Sequence, residues 1–147
     1  MTMMKWNSPK EYLMQVKGLD NLIQTNLESI TELKSRMLNI GNELKPDRVQ
    51  SSNSYDFTDI IAKICDMEDT TNSYIDSLVE LRNKIGNEIR ALDNNLHVII
   101  LTNHYILGNS LVDISDKYNY GRSYVKHAHG WALEAFKEKY LEKFNSK

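Results

Sequence analysis

Cysteine is almost missing from this chain: Cys65 stands alone in 147 residues. No intramolecular disulfide can form, and no multi-cysteine zinc site can be built. Such sparse use fits a reducing compartment. Proline is nearly as scarce, with two, and six glycines leave few breakers, so long uninterrupted helices are possible. Apolar runs are short as well. The longest aliphatic one, "VIIL" at 98–101, falls far below the roughly 20 residues that a bilayer-spanning helix needs. The start, "MTMMKWNSPKEY", has neither the apolar core nor the small-residue cleavage site of a secretory signal. Glycine-rich phosphate loops, nucleophile elbows and metalloprotease helices are also missing. The expectation is therefore a protein without catalytic residues, cofactor, metal or membrane segment.

What is present suits a folded protein, with 41% hydrophobic and 26% charged residues. The net charge of −2 conceals an asymmetry. Residues 1–95 carry 11 Lys/Arg against 15 Asp/Glu, a net −4, whereas residues 96–147 carry 7 against 5, a net +2. All four histidines lie in the second part. A mildly basic end on an acidic chain points weakly toward a polyanionic partner.

Two long helices can be read from the apolar spacing. In "SPKE", Ser8 is placed to cap, Pro9 suits the first helical position, and Glu11 completes a capping box. Apolar positions then fall at Tyr12, Val16, Leu19, Ile23, Ile30, Leu33, Met37, Ile40 and Leu44, with Asn26 as the polar interruption. The steps alternate four and three, the spacing of a coiled-coil seam. "KPDRVQSSNSY" (45–55), with Pro46 and its serines, reads as the loop, and Asp56 as the next cap. The second seam runs Phe57, Ile60, Ile64, Met67, Thr71, Tyr74, Leu78, Leu81, Ile85, Glu88 and Leu92, until "DNN" at 93–95. Each helix would be about 37–39 residues, or roughly 55–58 Å, at 1.5 Å per residue. Matched lengths around a short loop predict an antiparallel hairpin. Folding Leu44 near Phe57 brings Asn26 to the level of Thr71 and Tyr74, one shared polar layer. Ile61, Ile75 and Ile89 widen the stripe beyond what one hairpin covers, which predicts a homo-oligomer through this region.

A third helix fits "LHVIILTNHYIL" (96–107), ended by Gly108. Ser110 with Asp113 forms a capping box for the short helix that follows. From there Ile114 reads as buried, Ser115 as the small residue of a close helix contact, Tyr118 and Tyr120 as packing about the turn, and Asn119 as its left-handed residue. Val125 and Ala128 face inward from the next helix, with Arg122, Ser123, Lys126 and His127 opposite. That pattern fits a helix-turn-helix, and an ordinary helical corner is the competing reading.

"SLVDISDKYNYGRSYVKHAHGWALEAF" resembles region 4 of bacterial sigma factors, and "ALEAF" (132–136) is similar to the closing Ala-Leu-x-x-Leu of that region. With "YLMQVKGLDNLI", "VQSSNSYD" and "KICDMEDTTNSYIDSLVELRNKI", the chain resembles small phage and prophage proteins of Gram-positive bacteria, of the ArpU/RinA late-regulator group. Gly121 stands where the pattern usually has serine, Asn119 where it has glycine, and His127 where glutamine is frequent. The resemblance implies a transcription regulator in the cytoplasm of a bacterial host, with double-stranded DNA and host RNA polymerase as candidate partners.

The expected architecture is thus all-α: an antiparallel hairpin over 1–95, then a helix-turn-helix DNA-binding domain over 96–147. The candidate DNA-contacting residues are Lys117, Arg122, Ser123, Tyr124, Lys126 and His127. Arg122 is placed to grip guanine or phosphate, and Lys126 to add a cation one turn on. Tyr124 suits the sugar–phosphate backbone or a neighbouring helix, and Lys117 suits phosphate. Trp131 is expected between helices. His127 and His129 are two apart, on different faces, and do not form a chelating pair. Cys65 reads as an inert thiol. Two rival functions remain: a small terminase subunit for DNA packaging, and a module that binds polymerase without DNA.

Overall fold

The computed structural model describes residues 4–43 and 51–146, and the architecture is all-α. In chain order the elements are α1 (Pro9–Leu13), α2 (Gln15–Glu43), α3 (Ser51–Arg90), α4 (Asn95–Leu101), a π-helical turn (Thr102–Ile106), α5 (Leu111–Tyr118), α6 (Arg122–Lys139) and a 3-10 turn (Leu141–Lys143). Among the described residues no helix is long and apolar enough to cross a membrane.

Local signals set most boundaries. The Ser8 hydroxyl accepts from the Glu11 N–H at 3.1 Å, capping α1 with Pro9 in first position. A turn at Met14 then separates α1 from α2, where one continuous helix was expected. The expected cap at Asp56 is not used, because α3 already begins at Ser51 and Asp56 lies inside it. Serine costs a helix interior only a few tenths of a kcal/mol, so a long helix extends through a serine-rich stretch that composition marks as loop. Leu44 and Pro46 fall outside the described residues. The helix expected over 96–107 also changes character partway. The Asn103 side-chain amide donates to the Ile99 carbonyl at 2.8 Å. Just beyond, the backbone widens to π geometry, with Leu107 N–H reaching Thr102 O at 3.0 Å.

The chain divides into two compact units, Leu19–Leu78 and a discontinuous one of Met1–Gly18 with Val79–Lys147. The division expected at residue 95 lies elsewhere for a clear reason. Tyr12, Leu13 and Val16 are almost wholly buried, with the Tyr12 ring 5.8 Å from Phe136 and 6.1 Å from Phe144. Trp6 N–H donates to Lys143 O at 2.8 Å, and Asn145 N–H returns to Trp6 O at 2.9 Å. Glu88 holds the same region together. Tyr12 donates its hydroxyl to this carboxylate, Lys143 pairs with it at 2.9 Å, and the Tyr140 hydroxyl caps the Glu88 carbonyl at 2.7 Å. Burial and the adjoining Glu88 charge both raise the Tyr12 phenol above its ordinary range. A carboxylate on an apolar seam is explained by its two partners, Tyr12 and Lys143.

Within Leu19–Leu78, α2 and α3 run antiparallel. Ile30, Leu33, Ile60 and Ile64 form the core, with Met37, Ile40 and Met67 packed against it. Lys34 pairs with Glu68 at 3.6 Å on the surface. Thr71 is buried, and its hydroxyl donates to the Met67 carbonyl of its own helix at 2.7 Å. Thr71 therefore satisfies its hydroxyl within its own helix. Of the three widening isoleucines, Ile89 is fully buried, while Ile61 and Ile75 are exposed.

Candidate nucleic-acid interface

The helix pair α5–α6 is positioned by a small apolar cluster of Ile100, Ile114, Val125 and Ala128, joined by Leu96, Leu111, Tyr118 and Tyr120. Ser110 and Asp113 form the full capping box at the start of α5, with side chain-to-backbone bonds of 3.0 and 3.1 Å. Ser115 is buried, its hydroxyl turned back to the Val112 carbonyl at 2.7 Å, which leaves a small surface where α6 approaches. Asn119 ends the helix with φ 59° and ψ 40°, the left-handed conformation expected of it. Tyr120 N–H then bonds Ser115 O at 2.9 Å, and α6 starts two residues later.

Asn103 braces this corner from the π-helical turn. Its buried amide donates to Ile99 O and to the Tyr118 hydroxyl at 3.0 Å, and its oxygen accepts from Asn109 at 3.1 Å and Lys117 at 3.2 Å. Four partners saturate the side chain, and a saturated buried amide fixes geometry without a desolvation penalty. Gly108, with φ +77°, supplies the left-handed turn leading to Ser110.

A second brace lies behind α6. Tyr105 and His129 share a hydrogen bond of 2.8 Å, and the His104 ring sits 5.2 Å from His129. Burial, with the nearby His104 and Lys10, lowers the His129 pKa to about 4, and burial raises Tyr105 to about 12. His129 is therefore a neutral structural residue at physiological pH. His127, two positions earlier, is exposed and bonds through Nδ1 to the Ser123 carbonyl at 2.7 Å.

The expected contact residues divide into two groups. Arg122, Ser123, Lys126 and His127 are all exposed over the first two turns of α6. Among the described residues neither Arg122 nor Lys126 pairs with a carboxylate, so both charges are available. Lys117 is engaged differently. Its ammonium bonds Asn103 and lies 5.3 Å from the Tyr118 ring centroid, bracing the turn. Tyr124 is about half exposed, its ring edge-on to Tyr120 at 5.9 Å and to Trp131 at 6.4 Å.

Trp131 corrects its expectation. It is 55% exposed rather than packed between helices. The inward stripe of α6 is Val125, Ala128, Ala132 and Phe136, and Trp131 sits one residue, about 100°, away from it. Its indole instead lies 6.3 Å from the His127 ring. The outcome is a run of rings along one side of the helix pair, Tyr118–Tyr120–Tyr124–Trp131, whereas Arg122 and Lys126 lie on the other side of the exposed face of α6, about two residues' rotation from Tyr124. The sequence carried a signal for the run of rings in the spacing of Tyr120, Tyr124, His127 and Trp131, which is helical throughout. The exposed face of α6 thus carries cations suited to phosphate or guanine on one flank, and flat apolar rings with an indole N–H donor on the other.

No family model matches the chain, and neither the curated proteins nor the solved structures compared with it give a match. The functional reading therefore stands on the geometry of this surface.

Proposed function

We propose that the chain is a DNA-binding transcription regulator of the phage and prophage type, acting in the cytoplasm of a bacterial host, and that the first two turns of α6 enter the major groove. The observation that carries this reading is the shared exposure of Arg122, Ser123, Lys126 and His127 at the start of a helix braced by a left-handed turn. Helix-turn-helix proteins present this part of the second helix to base edges. The available cations are few, so affinity per domain is modest and depends strongly on salt.

The experiment is fluorescence anisotropy of the full chain with duplexes selected from fragmented phage DNA, across about 50–200 mM salt. Lys126→Ala lowers affinity for all duplexes and flattens the log–log salt dependence by about one unit. Arg122→Ala weakens binding to the selected site by about 1–3 kcal/mol and relaxes preference at one base pair. Lys63→Ala, on α3, leaves binding unchanged. If neither α6 variant alters binding, the groove reading fails.

A second reading is favoured by Trp131, whose exposed indole on this face suits a protein partner. Tryptophan is enriched among the few residues that carry most of the binding energy of protein interfaces. In that case Trp131→Ala abolishes capture of bacterial RNA polymerase, while the full chain shows no salt-dependent DNA affinity.

A further inference from the structure

We infer that His127 is a specificity-determining residue of α6, and that it selects a base with an exocyclic amino group, adenine or cytosine, on one strand of the major groove. The inference rests on the groove reading above and adds to it the chemical class of base at one position.

Placement on the helix comes first. Val125, Ala128, Ala132 and Phe136 form the inward stripe of α6. At about 100° per residue, Ser123 and His127 project within about 40° of the direction opposite that stripe. Arg122 and Lys126 lie toward one flank, Tyr124 and Trp131 toward the other. A helix lying in the major groove turns its outermost line to the base edges, and phosphates border it on either side. Arg122 is long enough to reach a base from its flank. His127 is short and reads only what lies directly beneath it.

Hydrogen bonding then fixes what the imidazole offers. His127 Nδ1 lies 2.7 Å from the Ser123 carbonyl oxygen. A carbonyl oxygen only accepts, so Nδ1 carries the proton and donates it. In the neutral ring Nε2 is then left with a bare lone pair. The residue is exposed, and with Nδ1 turned to its own helix, Nε2 at the distal edge is the nitrogen left to solvent. The Trp131 ring, 6.3 Å away, borders the imidazole one turn on, as the Ser123 bond does one turn back.

An uncharged acceptor is unusual on this surface. From Arg122 to Trp131 the sequence has no aspartate, glutamate, asparagine or glutamine. Arg122, Lys126 and the Trp131 indole only donate, while the Ser123 and Tyr124 hydroxyls do either. His129 is occupied by Tyr105. Among the described residues of this face, His127 therefore offers the one side-chain atom that only accepts.

That polarity determines the base. In the major groove adenine N6 and cytosine N4 donate, whereas guanine O6 and N7 and thymine O4 accept. Nε2 pairs with the first two and meets only lone pairs on the others. Each base pair carries one such amino group, so His127 distinguishes the strand on which it lies. The usual readers of these groups, amides for adenine and carboxylates for cytosine, are missing from this stretch.

The test uses the full chain at about pH 8, where imidazole is neutral. Nitrogen NMR of the DNA-free protein should place the ring proton of His127 on Nδ1. Anisotropy is then measured on the selected duplex with each base pair replaced in turn by the other three. One position should prefer adenine or cytosine over guanine or thymine on one strand by about tenfold. His127→Ala should flatten the preference at that position alone. An analogue of the preferred base without its amino group should cost the parent the same factor and His127→Ala nothing. A ring proton on Nε2 overturns the inference, and so does preference for guanine or thymine at the His127-dependent position. A uniform loss across all duplexes also overturns it, because His127 would then contact phosphate. If His127→Ala leaves every preference intact while Arg122→Ala and Lys126→Ala weaken binding, the inference fails and the groove reading stands. A parent that binds no duplex overturns both.

Discussion

At the scale of single residues, polar groups in the interior mark where the fold is fixed. Asn103 spends all its hydrogen-bonding capacity on Ile99, Tyr118, Asn109 and Lys117. Lys117 is therefore a poor candidate for DNA despite its position, since reaching a phosphate would cost it this bond. His129 makes the protein sensitive to mild acid. Its pKa is about 4 in the folded chain against an ordinary 6.5, with Tyr105, His104 and Lys10 as the groups around it. A depressed folded-state pKa means that the unfolded chain binds the proton more readily. The associated stability is fully present above pH 6.5 and is lost as pH falls toward 4. Thermal melts of the parent should therefore fall across that window, and those of His129→Gln should fall less. Equal slopes for the two proteins would assign the acid sensitivity elsewhere.

At the scale of elements, turn chemistry was more legible than helix length. Ser8, Ser110 with Asp113, and Asn119 all occupy the cap and turn positions read from sequence. A cap depends on a few adjacent residues, so its signal is complete within a short window. The Asn119 turn gives a direct test. Alanine at a left-handed position costs about 1 kcal/mol, whereas glycine adopts it freely. Asn119→Ala should lower the midpoint of urea unfolding, and Asn119→Gly should leave it unchanged or raise it. The start of α3 and the π-helical turn were not legible, because neither follows from local preference. Serine merely tolerates a helix, so where α3 begins depends on more than its own residues. The π-helical turn coincides with the bond from the Asn103 amide to the Ile99 carbonyl, a contact with no counterpart in the apolar pattern. The exposure of Trp131 was legible in principle. Its offset from the Ala128–Ala132 stripe is fixed by helical period, yet the habit of burying tryptophan outweighed the period.

At the scale of the whole molecule, the seams named many of the buried residues, such as Tyr12, Val16, Ile23, Ile30, Ile60 and Ile85, but not which partners they meet. Tyr12 and Val16 belong to the first seam, and Ile85, Glu88 and Leu92 to the second. In the structure all five lie in the compact unit that also contains α4, α5 and α6. Heptad spacing reports that a face is covered and carries no information about what covers it. The division of the chain at residue 95 therefore makes a poor cutting point. A fragment of residues 96–147 would lose Tyr12 from beside Phe136, and Lys143 and Tyr140 would both lose Glu88. That fragment should be largely unfolded by circular dichroism at 25 °C. Glu88→Ala in the full chain should cost about 2–3 kcal/mol in urea unfolding, the loss of charged hydrogen bonds in a largely buried setting. A cooperatively folded 96–147 fragment would restore the simpler two-domain division.

The discontinuity of that unit also sets an order of events during synthesis. The Tyr12–Glu88 contact spans 76 residues and the Asn7–Asn145 contact spans 138. At the usual pace of about 5–20 residues per second, the first segment waits roughly 7–28 s for its last partner. Glu88 emerges partway through that interval, but until its end Tyr12 lacks Phe136 and Phe144, whereas α2 and α3 of Leu19–Leu78 can already pair. Nascent chains arrested before residue 136 should therefore bind hydrophobic-segment chaperones through residues 12–16, and release them once α6 and Phe144 are out.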